Sequence, residues 1–389
     1  MLVRRLSGSE RFAAECISDF AFHVRVPNSS LEEKRVESEK KTWDDWGAFS
    51  EDGVLMARII RNEYTTHFDG SDAPSNGIGA VSTLPEYRES GAIRAIFGAL
   101  LPAAFAAGDV ISTLYPFDHG FYRKFGYETV CYRNKYVLPP RALRGHDFAG
   151  WARRWQKGDP VAPFLALYEA FSARLNLSLK RDEAMALEHL EGSDLETRRF
   201  SYLLGEGDEP TAYVTFRDIW RAEGAELRVE DLAFAARSGF QALLGFLARF
   251  SADYKTVVLP LPTDLELAPF LASPYEAEKE VSWDHMIRTV NAEKLLALLR
   301  KPAGVSVRIE VSDPLIEANN GIFEVKEDGV RRTEGEPDLI LPQSVLALMA
   351  VGGMTPGEAA LRPDVELRDR EDSLSALFPA KARFLADSF

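Results

Sequence analysis

Residues 78–95, Ile-Gly-Ala-Val-Ser-Thr-Leu-Pro-Glu-Tyr-Arg-Glu-Ser-Gly-Ala-Ile-Arg-Ala, constrain the fold more than any other stretch of the chain. An apolar run that stops at Pro85, a polar turn, and apolar residues resuming at helical spacing read as strand, tight turn and helix. Arg88, Ser90 and Gly91 fall where the helix begins. Unpaired backbone N–H groups therefore point outward there, beside the positive end of the helix dipole. Gly91 has no Cβ to keep a ligand atom from the backbone. The stretch reads as an anion cradle of the kind that holds phosphate, although a glycine near such a bend also serves the turn itself.

A second stretch, residues 114–127, reads Leu-Tyr-Pro-Phe-Asp-His-Gly-Phe-Tyr-Arg-Lys-Phe-Gly-Tyr. Tyr122 opens a short helical turn that Gly126 closes, as glycine commonly ends a helix. Around these stretches the periodicity predicts strands at residues 3–6, 43–49, 54–64, 75–84, 109–115 and 131–138, with helices at 9–22 and 90–107. An Asp-Gly turn joins the second and third strands. Pro139-Pro140 and the polar run to Gly145 make a linker. Beyond it, helices at 163–176 and 182–189, strands at 199–204, 211–216 and 225–232, a helix at 235–250 and a strand at 256–259 repeat the order sheet, helix, strand without visible sequence identity. From Met286 the texture changes to a helix at 291–299, strands at 305–311, 321–326 and 338–341, and helices at 342–349 and 355–361. The tail carries Leu374, Leu377, Phe378, Phe384 and Phe389, too apolar for a frayed end, and is expected to pack back onto the protein.

A chain of 389 residues exceeds one ordinary core. Three units are expected, at 1–140, 141–284 and 285–389. The net charge of −14 repels nucleic acid and anionic lipid and draws cationic small molecules such as amines. Cys16 and Cys131 lie far apart, which excludes a disulfide framework or thiolate zinc site; buried structural thiols in a reducing cytoplasm are expected. The histidines are scattered and imply no metal site. The N-terminus lacks the apolar core of a signal peptide, and the apolar stretch 95–107 is broken by Pro102 and too short to cross a bilayer, so no membrane span is expected.

Arg88-x-x-Gly91-x-x-Arg94 followed by Phe121-Tyr122-Arg-Lys-Phe-Gly-Tyr127, on the element order β, α, β, β, β, α, β, short helix, β, resembles the GCN5-related N-acetyltransferase superfamily. A narrower resemblance spans the chain. Pro85-Glu-Tyr-Arg88, Pro116-Phe117 and Phe121-Tyr122-Arg-Lys-Phe-Gly126 are similar to the enhanced-intracellular-survival proteins. Residues 286–294, 321–325 and 338–341 resemble parts of the sterol-carrier-protein domain that ends those proteins. The resemblance implies an α+β protein: a catalytic acetyltransferase domain, a degenerate second one, and a sterol-carrier-like α/β domain whose terminal aromatic residue reaches the active site. It also suggests a homohexamer.

By the same resemblance, acetyl-coenzyme A lies along Val81, Ser82 and Thr83 and along Arg88, Glu89, Ser90, Gly91, Ala92, Ile93 and Arg94, with Phe117 and Asp118 beside the thioester. Glu89 departs from the basic residues usual at that loop. Tyr122 is the implied general acid, its phenol reference pKa of about 10 lying close to the thiol's of about 8.5. The α-carboxylate of Phe389 is the implied base. Phe22 and Trp46 are placed as walls of the acceptor pocket, and Asp387 as the holder of a second ammonium of a polyamine-like or aminoglycoside-like substrate. His119 is read as a solvated loop residue. Arg237-Ser-Gly-Phe240 echoes the first loop, but no partner of the Tyr122 segment follows it, so the second domain is read as a scaffold. Acetylation of a protein lysine or N-terminus, and a non-enzymatic coenzyme A or lipid carrier, are the competing functions.

Overall fold

The computed structural model describes residues 1–146, 148–192, 195–222 and 224–387. The chain opens with β1 (Leu2–Arg5), α1 (Glu10–Ala21), α2 (Leu31–Lys40), β2 (Asp44–Phe49), β3 (Leu55–Phe68), β4 (Ser71–Thr83), α3 (Ala92–Ala107), β5 (Ile111–Leu114), α4 (His119–Arg123) and β6 (Glu128–Thr129). Next come β7 (Asn134–Leu138), β8 (Trp151–Arg154), α5 (Ala162–Ser172), α6 (Glu183–Leu190), β9 (Arg199–Glu206), β10 (Glu209–Arg221), β11 (Gly224–Phe234), α7 (Arg237–Ala248), β12 (Thr256–Leu261) and β13 (Glu278–Val281). The remainder is β14 (Met286–Thr289), α8 (Ala292–Leu298), β15 (Ser306–Ser312), β16 (Gly321–Lys326), β17 (Gly329–Thr333), β18 (Leu339–Pro342), α9 (Gln343–Ala350), α10 (Pro356–Ala359), β19 (Glu366–Leu367) and α11 (Glu371–Leu377).

Three mixed sheets result, with strand orders β1-β2-β3-β4-β5-β14-β6, β13-β7-β12-β11-β10-β9-β8 and β17-β16-β15-β18-β19. The first two exchange strands. Residues 131–138, read from the sequence as the last strand of the first sheet, instead supply β7, which pairs with β12 and β13 of the second. The vacated place in the first sheet goes to β14, which lies antiparallel to both β5 and β6. The third core is continuous with its neighbours, since Phe68 and Val110 from the first unit and Leu177 and Leu179 from the second pack into it.

Local chemistry accounts for the elements nearest the site. In α3, Ala92, Ile96, Phe97, Leu100, Leu101 and Ala104 recur at three- and four-residue spacing and are all buried against the first sheet. Left-handed Gly91 and Gly108 bracket the helix. The long β3–β4 hairpin turns at Asp69-Gly70, both at positive φ, extending each strand beyond its expected limit. α2 was not expected, because LEEKRVESEK has no apolar face to announce it; ion pairs such as Arg35–Glu39 and Lys34–Asp19 line it. Cys16 is exposed on α1 rather than buried, and Cys131 is half-buried; burial raises both thiols above their ordinary pKa.

A buried polar chain fixes the register of β4 against β5. Arg61 on β3 donates to both oxygens of Asp109 at 2.8 Å, and Asn76 Nδ2 donates to Asp109 at 2.6 Å. Asn76 Oδ1 accepts from Ser112, whose hydroxyl also meets Tyr127 Oη at 2.7 Å. Removing one member of a buried charge pair strands the other. Asp109→Ala is therefore expected to destabilise the protein by about 3–5 kcal/mol, read as a lowered denaturant midpoint; an unchanged midpoint would show that the chain is not holding the register.

Candidate active site

β4 and β5 run parallel only from the pair Ser75–Ile111 to the pair Ile78–Leu114. Beyond that point β4 continues to Thr83 with no strand on its β5 side among the described residues. The register against β3 slips at the same place, between the pairs Ile60–Gly79 and Arg58–Ser82, and Ala80 is forced to φ +51°. A bulge beside an opening between strands re-aims backbone amides. Val81, Ser82 and Thr83 therefore present an unpaired backbone edge to the gap. The Ser82 hydroxyl does not take part, because it faces Ser18 of α1 at 3.1 Å.

The cradle is expected at the turn after β4. Glu89 and Gly91 are both left-handed, no side chain caps α3, and a Cβ added at Gly91 would meet nothing within 4 Å. Arg88, Glu89, Ser90, Gly91 and Arg94 are exposed around the helix N-terminus, whereas Ala92 is buried and Ile93 half-buried on its underside. Among the described residues Arg88, Glu89 and Arg94 form no ion pair, so two guanidinium groups and the first-turn amides are available to a pyrophosphate, opposed by one carboxylate. These residues fit the diphosphate and pantetheine of a coenzyme A thioester.

Tyr122 lies on α4, the short helix that follows β5. Asp118, expected beside the thioester, instead caps α4 by accepting from the Phe121 amide at 2.6 Å. The turn ends at Gly126 (φ +78°), where any Cβ would lie 2.2 Å from Arg288 Nη1 and Gln343 Nε2. Arg288 donates to the Phe125 carbonyl and is itself fixed by Asp313; Gln343 donates to the Gly126 carbonyl at 2.7 Å. The Tyr122 ring is 2 % exposed, boxed by Phe97, Phe117, Phe121 and Tyr127, and its hydroxyl has no hydrogen-bond partner among the described residues. Burial pushes its pKa well above 10, so the phenol is held protonated and sits further from the thiol value than the free amino acids suggest. Phe117, 70 % exposed, covers the edge of this box. His119 is tied to the Trp283 carbonyl at 2.8 Å.

The tail meets the residue that follows β5. Tyr115, the residue after β5, donates its hydroxyl to the Asp387 carbonyl at 2.6 Å. Phe389, assigned as the base, lies outside the described residues. Asp387 is buried and already matched: Arg181 Nε and His189 Nε2 each lie 2.8 Å from its Oδ1, and Tyr168 Oη 3.2 Å from its Oδ2. Burial opposes its ionisation, but Arg181 and His189 outweigh that and hold its pKa far below the usual carboxylate range. Its charge is answered inside the protein, which corrects the expectation that it receives a substrate ammonium. The two expected pocket walls lie on different faces of the first sheet. Asp45 turns toward Arg58 and α1, so its neighbour Trp46 points to the opposite face and is buried in the layer under α3. Phe22 stays exposed at the end of α1 on the other side.

Residues not foreseen from the sequence are Phe20, Tyr115, Arg181, Asp231 and His189. Phe20 lines an apolar cleft of about 590 Å3 that ends at Leu84 and Pro85, where the cradle begins. Its place four residues after Cys16 on α1 was the available signal. The others matter through contacts distant in sequence and leave no local trace.

The family comparisons agree with this geometry. Residues 3–130 and 177–296 each match an acetyltransferase (GNAT) domain family, and residues 293–386 match a sterol carrier protein domain family. The chain is an N-acetyltransferase of the GNAT superfamily with a C-terminal sterol carrier protein domain, and GNAT domains use acetyl-coenzyme A as their acetyl donor. In fold it is similar along its whole length to Eis1 from Mycobacterium abscessus, with 21% identity, 100% of both chains covered and a TM-score of 0.84. It is similar also to a GCN5-related N-acetyltransferase from Anabaena variabilis (22%, 100% of both chains, 0.84) and to a probable N-acyltransferase from Enterococcus faecalis (19%, 100% of this chain and 99% of that one, 0.86). No curated protein matches the chain. Among the described residues no helix is long and apolar enough to cross a membrane.

If the cradle holds the pyrophosphate, charge placed there changes donor affinity and little else. Glu89→Lys is expected to lower the KM for acetyl-coenzyme A about two- to fivefold at low ionic strength, an effect that salt erases. Gly91→Asp should raise that KM at least about tenfold. Steady-state kinetics at two salt concentrations check both; two unchanged KM values would move the phosphates elsewhere.

Proposed function

We propose that this acetyltransferase transfers acetyl to a primary amine of a cationic small molecule of polyamine-like or aminoglycoside-like type, by direct attack within the gap between β4 and β5. Backbone amides of Val81 to Thr83 receive the carbonyl oxygen as charge develops on it. Tyr122 gives its proton to the sulfur as the carbon–sulfur bond breaks, and the Phe389 α-carboxylate, directly or through a water, takes the proton the amine loses as the carbon–nitrogen bond forms. The observation that carries this reading is the Tyr115–Asp387 hydrogen bond at the end of β5. Two residues separate Asp387 from the Phe389 carboxylate, a span of at most about 7 Å for extended chain. The Tyr122 hydroxyl, unpartnered among the described residues, supports the assignment of the acid. The net charge of −14 favours a cationic acceptor over an acidic one.

A phenol held protonated past pH 10 places no alkaline limb on the rate below that pH. In a thiol-release assay against a panel of amines, kcat/KM should rise as the acceptor amine deprotonates and show no fall from Tyr122 up to pH 10. Tyr122→Phe and deletion of Phe389 should each lower kcat about 10²–10⁴-fold, with the acetyl-coenzyme A KM little changed. Parent-like turnover in either variant removes that residue from the mechanism. Turnover confined to peptide lysines or N-termini would favour a protein acceptor instead.

A further inference from the structure

The second sheet has a gap of its own. β11 and β12 run parallel only from the pair Glu226–Thr256 to the pair Arg228–Val258. Beyond it β11 continues to Phe234, while β12 keeps only its pairing with β7, which runs from Val257 to Leu261. This is the arrangement of β4 and β5 in the first sheet, and in each case the longer strand leads into a helix. The two gaps differ in what fills them. Around the second, a Cβ added at Gly239, at the start of α7, would lie 2.1 Å from the Thr211 carbonyl, so the helix end is closed to a phosphate by the protein's own backbone.

The chain's last described residues span this second gap. On the β12 side, Thr263 and Arg383 exchange hydrogen bonds: the Thr263 amide donates to the Arg383 carbonyl at 3.1 Å, and the Arg383 amide donates to the Thr263 hydroxyl at 3.0 Å. Phe384 is buried against Phe171, its amide donates to the Asn176 carbonyl, and its carbonyl accepts from Ser178. On the β11 side, Arg181 binds Asp387 through Nε and Asp231 through Nη1 and Nη2, with all three side chains 2–3 % exposed. Tyr213 also binds Asp231, and Ala386 shares a cleft of about 530 Å3 with Val229 and Pro260 from the two strands. Asp231 lies on the part of β11 beyond the split.

We propose that the second domain's strand gap is a receptor for the chain's own C-terminal segment, residues 383–387, and that Arg181 is the positioning residue that aims the last two residues at the first gap. The ligand class is an extended peptide with an aromatic residue three positions before an aspartate, as in Phe384 to Asp387. A planar guanidinium between two buried carboxylates, Asp231 on the receptor and Asp387 on the tail, fixes direction as well as distance. The aiming half of the proposal rests on the role given above to the terminal carboxylate. The receptor half does not.

The test uses full-length protein and two readouts, hydrogen exchange of the tail followed by mass spectrometry and steady-state kinetics. In Arg181→Met and in Asp387→Asn, exchange of residues 382–387 should accelerate at least about tenfold while α7 and β12 keep parental protection. The kcat should fall about 10–100-fold with the acetyl-coenzyme A KM near the parental value, and Arg181→Lys should recover part of the loss. The double variant should be no worse than the poorer single one, because both remove one contact. Tyr115→Phe, which leaves the ion network intact, offers a milder release of the tail. Unchanged tail protection in Asp387→Asn and Arg181→Met would overturn the receptor. A KM rising in step with the fall in kcat would overturn the positioning role and mark general damage. Parental turnover after deletion of Phe389, with the tail still loosened by Arg181→Met, would support the receptor and overturn the aiming.

Discussion

The point at which β4 and β5 part is set by the buried chain from Arg61 through Asp109, Asn76 and Ser112 to Tyr127. Parallel strands have no intrinsic reason to separate after four pairs. A line of polar groups that satisfy one another only in one register supplies the reason, since slippage would leave buried donors unmet. Asn76 and Ser112 lie two pairs before the split, so the gap opens at a fixed place. This polar chain ends on Tyr127, whose amide donates to the Tyr122 carbonyl, so the opening and the Tyr122 turn are held by one network.

Apart from the terminal carboxylate proposed as base, the other two domains act on this site by holding backbone in place. Arg288 enters with β14, a strand inserted between β5 and β6, and bonds the carbonyl that follows the Tyr122 turn; Asp313 of the third unit neutralises it, with both side chains fully buried. Gln343, at the start of α9, accepts from the Thr289 amide and donates to the Gly126 carbonyl. The sterol carrier fold is thus used here as a buttress, with α9 packed against β14 in a filled apolar core. The second domain holds the tail. Strand exchange between the first two sheets makes these supports inseparable from the catalytic domain.

What could be read from the sequence was whatever is local. The strand, turn and helix of residues 78–95 carry their own signals in Pro85, Gly91 and the apolar spacing of α3, and the Tyr122 turn carries Gly126. The exchange of β7 for β14 could not be read, because β14 is only the four residues Met286-Ile-Arg-Thr289, without alternation, and nothing within either segment names its partner. Trp46 and Asp387 were misplaced for a related reason. The face a strand residue takes is decided by neighbours such as Arg58 and Ser18, and the burial of Asp387 by Arg181, more than two hundred positions away in the chain. The left-handed Ala80 likewise has no signature, since the bulge comes from register and not from residue type.

A crystal structure of the protein with coenzyme A bound tests the account most directly, by the distance from the thiol sulfur to Tyr122 Oη and the position of the final carboxylate. The expected result is a sulfur within about 3.5 Å of the hydroxyl, its pantetheine arm along Val81 to Thr83, and the Phe389 carboxylate on the acceptor side of the same gap. A sulfur outside the β4–β5 opening, or a terminal carboxylate on a different face of the domain, would contradict it.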